Sequence, residues 1–157
     1  MTRSRERAGL ARVGVTRAVF DGAVLPSPGT RRAMPVRWNI DPNLGLTTVT
    51  AEGRLDLQAA LDTMTELYAQ PSYRPPMLDL WDLRAAELDS APGDVQAFVR
   101  FLEGSRGENG TAKTALVVGR TADFGLSRQY QAYAEMSLPL SINVFTSLDE
   151  ARAWLGV

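Results

Sequence analysis

The 157-residue chain is 45% hydrophobic and 22% charged with a formal net charge of −1, the make-up of one globular domain able to close a single apolar core. It has neither cysteine nor histidine, which excludes disulfides, thiolate nucleophiles, Cys-based metal sites, the Ser-His-Asp triad and nearly every zinc site. No apolar run approaches the roughly 18 to 20 residues that span a bilayer, so a soluble, cytoplasmic protein without a transmembrane segment is expected.

Lys113 is the only lysine among 17 basic residues, a skew that fits a GC-rich, bacterial coding sequence. Charge divides the chain in two. Residues 1–33 carry a balance of +5, with seven arginines against Glu6 and Asp21, and the remainder carries −6. An acidic domain with no basic stripe is a poor match for nucleic acid. Met1 to Ala33 shows no sustained apolar period and closes on Pro26-Ser27-Pro28-Gly29-Thr30, a linker composition. It reads as a disordered basic tail, either an arm for an anionic surface or targeting, or an upstream extension of a protein that starts at Met34.

From residue 34 to 157 the pattern is that of one α/β domain. Val36, Trp38 and Ile40 alternate with polar neighbours, Asp41-Pro42-Asn43-Leu44-Gly45 supplies a turn, and Leu46 to Ala51 forms a second β-branched run ending at Gly53, together a β-hairpin. Asp56 can cap a helix whose apolar positions Leu57, Ala60, Leu61, Met64, Leu67 and Tyr68 recur at helical spacing until Pro71. Met77 to Leu83 is a strand interrupted by Asp79 and Asp82. Ser90-Ala91-Pro92 then opens a helix with Val95, Phe98, Val99 and Leu102 on one face, followed by a loop from Gly104 to Gly110. Thr114 to Gly119 is a continuous apolar run, as a strand covered on both faces requires. Phe124, Leu126, Tyr130, Tyr133 and Ala134 mark a third helix ending before Pro139. Leu140 to Phe145 is a last strand, and Ser147 with Glu150 forms a capping box for a terminal helix from Leu148 to Leu155. The order ββαβαβαβα demands crossover connections, hence a mainly parallel, mixed sheet with an antiparallel first strand.

Four groups of residues are candidates for function. Ser90 stands where an N-cap hydroxyl would satisfy a free backbone N–H, and a phosphate there would also meet a helix N-terminus, opposed by Asp89 and Asp94. Gly119 and Arg120 follow a buried strand and lead into a helix, a place where open α/β sheets bind anions, although neither a Gly-x-Gly-x-x-Gly spacing nor a Gly-Lys-Ser/Thr ending is present. Asp79 and Asp82 are three apart on a strand and so face opposite ways; Asp82 is expected to accept backbone or Arg84 hydrogen bonds, and Arg84 to orient an anion. Phe124, Tyr130 and Tyr133 form an aromatic face that is either core or the lining of an apolar cleft between helix and sheet. No residue pattern calls for a cofactor or a metal.

The order of elements, together with Met34-Pro35-Val36-Arg37-Trp38, Asp82, Ala122-Asp123-Phe124-Gly125-Leu126-Ser127-Arg128 and Val144-Phe145 with Glu150-Ala151-Arg152-Ala153-Trp154-Leu155, resembles the SpoIIAA-like family of the STAS fold. The resemblance covers residues 34 to 157. It implies a domain related to STAS phosphoregulators and to the lipid-binding Sec14 (CRAL-TRIO) fold. STAS antagonists carry an Asp-Ser pair whose serine is phosphorylated; Asp89-Ser90 occupies the matching place, but Ala91-Pro92-Gly93-Asp94 departs from the small-residue stretch that follows in the family. The resulting expectation is a non-catalytic binding domain that takes an apolar small molecule or a lipid. The alternative is a STAS-type regulatory module that binds a protein partner, with Ser90 as a phosphoswitch; a homodimer is compatible with either. Catalysis ranks third, since acid–base work would fall on Asp, Glu or Tyr alone.

Overall fold

The computed structural model describes residues 36–105 and 113–157. The tail assigned to residues 1–33, and most of the loop assigned to Gly104–Gly110, lie outside these.

The hairpin forms as its alternation requires. Strands β1 (Val36–Asp41) and β2 (Leu46–Asp56) pair antiparallel, and at the turn the Asp41 carboxylate accepts from the N–H groups of Asn43 and Leu44 at 2.9 and 3.2 Å, giving the backbone partners that the ladder no longer supplies. Asp56 then caps helix α1 (Leu57–Tyr68), its carboxylate accepting from the Ala59 N–H at 2.9 Å. Strand β3 (Leu78–Asp89), helix α2 (Asp94–Ser105), strand β4 (Lys113–Val118), helix α3 (Thr121–Ser137), strand β5 (Ser141–Phe145) and helix α4 (Leu148–Leu155) follow. Ser147 caps α4 by accepting from the Glu150 N–H at 3.4 Å.

The sheet has the spatial order β1-β2-β3-β4-β5, with every pair after the hairpin parallel. Because each crossover steps one strand over in the same direction, connections of one hand put α1, α2 and α3 on a single face. There Met64, Leu67, Val99, Leu102 and Ala134 pack on Trp38, Val49, Trp81, Leu83, Leu116 and Val118. The other face carries α4, whose Ala151 and Leu155 meet Leu46, Leu80, Ala115 and Val117. β4 thus buries both its faces, which is why it reads as an unbroken apolar run.

Two strands run further than their sequence suggests. β2 continues past a bulge between Thr50 and Glu52, and β3 continues beyond Leu83, because the two extensions pair with each other from Glu52↔Ala85 to Asp56↔Asp89. Their charged side chains Glu52, Arg54, Arg84 and Glu87 point to solvent while Leu55 and Ala86 are buried. Helix α2 differs in the opposite sense: Ser90 does not open it. The first helical residue is Asp94, and the preceding Gly93 has φ +90°, a conformation that L side chains rarely adopt. Among the described residues no helix is long and apolar enough to cross a membrane.

Candidate functional site

The three helices on one face do not close completely over the sheet. A cleft of about 140 Å³ remains beneath them. Its apolar wall comes from Leu55 of β2, Trp81, Leu83 and Leu88 of β3 and Leu116 of β4. Its roof comes from Leu57, Ala60 and Met64 of α1, Val95, Phe98 and Leu102 of α2, and Leu126 and Tyr130 of α3. Aromatic rings frame it, with Phe98 and Tyr130 centroids 5.6 Å apart at a tilt of 56°. Several of these side chains, including Leu57, Leu88, Val95 and Phe98, are only half-buried, so the cleft presents apolar surface that the described residues leave uncovered.

The polar residues of the cleft fall into two sets. Asp79, Thr114 and Ser127 are buried, at 2%, 5% and 2% exposure. Asp79 and Thr114 are register partners on adjacent strands, and Ser127 lies on the buried stripe of α3 with Asp123 and Ala134. Among the described residues the Ser127 hydroxyl has no hydrogen-bond partner. Asp123 contributes to the fold through the Leu88 N–H, which donates to one carboxylate oxygen at 3.3 Å. At the rim stand the exposed Asp56 and Ser90 with the half-buried Asp89 and Asp94. Arg54 pairs with Asp89 at 2.6 Å across the β2–β3 extension, and the Asp94 carboxylate accepts from the Ala91 N–H at 2.7 Å.

That last bond corrects the reading of Ser90 as a helix cap. Ser90 lies four residues before the helix, it is exposed, and its hydroxyl makes only a long 3.4 Å bond to the Ala91 carbonyl. The Ala91 N–H donates to the Asp94 carboxylate instead. The β3–α2 segment therefore displays the Ser90 hydroxyl rather than using it.

Of the ligand-binding residues expected from sequence, the structure brings only Tyr130 into the cleft. Tyr133 is 39% exposed, and Phe124 is half-buried against the core without lining the cleft. Asp82 and Arg84 belong to the opposite face, as strand alternation demands of positions three and five residues from Asp79. There they form a two-point ion pair with both contacts at 2.8 Å, which holds the Asp82 carboxyl below its ordinary value. The next charge felt by Arg84 is Asp149 of α4. Arg120 is committed to Glu87 at 3.0 Å. Gly119 is required by packing: a Cβ there would lie 2.5 Å from the Arg84 carbonyl oxygen. The turn after β4 is thus a close strand-to-strand approach. Asp79, Thr114 and Ser127 were missed as a group, although two signals were present. Asp123 and Ser127 recur four apart on an otherwise apolar helical stripe, and Asp79 shares strand parity with Trp81 and Leu83.

Neither a protein-family model nor a curated protein matches the sequence. Solved structures do resemble the fold. An uncharacterised protein of the DUF3478 family with a SpoIIAA-like fold, from Shewanella loihica PV-4, is similar with a TM-score of 0.52 and 16% identity, over 83% of this chain and 99% of that one. An anti-sigma factor antagonist from Mycobacterium paratuberculosis is similar with a TM-score of 0.48 and 16% identity, over 85% of this chain and 100% of that one. At this identity the likeness establishes the fold, which is SpoIIAA-like.

Proposed function

We propose that the protein is a non-catalytic regulatory module of the STAS kind, which works by binding a protein partner through the segment between β3 and α2. The observation that carries this reading is the display of Ser90. It sits in the place where STAS antagonists, which the sequence resembles, carry their Asp-Ser pair, and neither the helix nor the core uses its hydroxyl. A phosphate at that position would add negative charge beside Asp89 and Asp94, so modification would repel an acidic partner surface and release it. The absence of histidine and cysteine weighs against catalysis, because it removes the groups best suited to proton transfer and nucleophilic attack near neutral pH.

The test is comparative capture from the producing cells with tagged protein carrying Ser90→Ala or Ser90→Asp, after showing that the two variants melt alike. A partner held by the alanine form and released by the aspartate form is the expected result. Equal retention by both would remove Ser90 as a switch, and a partner footprint away from the β3–α2 segment would remove the reading altogether.

A second reading, binding of an apolar small molecule, is favoured by the cleft itself. Half-buried apolar walls with a few convergent polar groups are the usual make-up of a small-molecule site.

A further inference from the structure

Strand β5 has the composition of a sheet interior although, among the described residues, only β4 pairs with it. Its sequence Ser141-Ile142-Asn143-Val144-Phe145 contains no charge and no proline, the usual deterrents to strand addition at an edge. β1, at the other end of the sheet, carries Arg37 and Asp41 of its own. The protection of β5 comes from outside the strand. On α3 the Gln131 amide donates to the Ile142 carbonyl at 2.7 Å, and one turn on the Glu135 carboxylate accepts from the Ile142 N–H at 2.9 Å. The Val144 N–H donates to the side-chain oxygen of Asn143 at 3.0 Å. Arg128, also on α3, donates to the Gln131 side-chain oxygen at 2.7 Å; an arginine has no acceptor, so this contact turns the amide nitrogen toward β5. Both polar backbone groups of Ile142 are thus held by side chains rather than left as a template for another strand.

We infer that α3 closes the β5 edge to strand addition through Gln131 and Glu135, and that removal of these two side chains would admit a second copy of this chain, pairing β5 antiparallel to β5. The occupant follows from the strand itself. An antiparallel pair exchanges N–H and C=O groups between facing residues, so Ile142 and Val144 of one copy can serve their counterparts in another about a twofold axis. An uncharged strand meets no like-charge repulsion when it faces itself, and Ile142, Val144 and Phe145 are residue types that favour strands. Because β5 is only 5 residues long, the loss of Ile142 from any new ladder removes a large share of the bonds that ladder could form.

The full chain carrying Gln131→Ala and Glu135→Ala, with circular dichroism and melting showing that the fold is kept, is compared with the parent by sedimentation over a range of concentrations and by hydrogen exchange of the Ile142 amide. Alanine suits both helical positions. The double variant should self-associate at least about tenfold more tightly than the parent, and its Ile142 amide should gain protection as the associated fraction grows. Self-association no stronger than the parent's would overturn the inference. So would association that leaves the Ile142 amide open to exchange, because another surface would then be responsible. Glu135→Gln keeps an acceptor of the same reach without the charge and should behave as the parent does. Association of that variant would overturn the role given to the hydrogen bond, leaving charge as the deterrent. Should the double variant not fold, Glu135→Ala alone frees the Ile142 N–H and carries the same expectations, with a smaller rise in self-association.

Discussion

Ser90 and Asp56 illustrate how two polar residues placed before helices come to differ in what they do. The Asp56 carboxylate accepts from the Ala59 N–H and so satisfies a donor that α1 leaves open. Ser90 satisfies none, since Gly93 turns the chain and Asp94 takes the Ala91 N–H. Asp56→Ala should therefore cost about 1 kcal/mol in urea-denaturation experiments, while Ser90→Ala should stay within about 0.5 kcal/mol of the parent. Similar costs for the two would return Ser90 to a structural role. Asp82 permits a sign-specific test by pH. Its hydrogen bonds from Arg84 hold its carboxyl below the ordinary value of 3.8, so the native state gives up this proton more readily than the unfolded chain. The stabilisation it lends is present above that ordinary value and is lost as pH falls through the lower native one. Arg84→Met should consequently lower the urea midpoint at about pH 7, and the gap to the parent should narrow as pH approaches about 2. A gap independent of pH would mean that the ion pair contributes nothing and that lost packing of the arginine stem explains the change.

At the level of elements, α3 is where a sequence stripe and a structural stripe part company. Its buried residues Asp123, Ser127 and Ala134 include two polar side chains, while Tyr133, which helical spacing groups with Tyr130, faces outward at 39% exposure. Tyr130 packs on Phe98 and lines the cleft. Tyr130→Ala should cost about 3 kcal/mol, near the lower end for large aromatic truncations because the ring is only partly buried, whereas Tyr133→Ala should change stability by less than about 1 kcal/mol. Equilibrium unfolding of the two variants distinguishes them, and equal losses would show that the outward ring packs on something beyond the described residues. The β2 and β3 extensions make the complementary point. The sequence ends these strands at Gly53 and Leu83, yet the two segments supply each other's backbone partners, which no single segment can reveal.

For the whole molecule, the division of charge between residues 1–33 and the rest suggests that the basic segment is not needed to close the core. A chain beginning at Met34 should melt within a degree or so of the full chain in calorimetry, since nothing in residues 1–33 has the apolar period needed to dock on the domain. A clearly lower midpoint would show that the segment packs. The order of elements, the antiparallel first strand, the doubly buried β4 and the caps at Asp56 and Ser147 were all legible in the sequence. Each depends on periodicity or on a side chain meeting backbone a few residues away, and such local terms survive without knowledge of the fold. The opposed directions of Asp79 and Asp82 were legible for the same reason, because strand alternation is local. The site was not. Whether Tyr130 or Tyr133 reaches the cleft and whether Asp79, Thr114 and Ser127 meet at all depend on how α3 rotates over β3 and β4. That rotation is decided by the packing of side chains distant in sequence, so only the tertiary structure could place one buried carboxyl and one buried hydroxyl in the same apolar cleft.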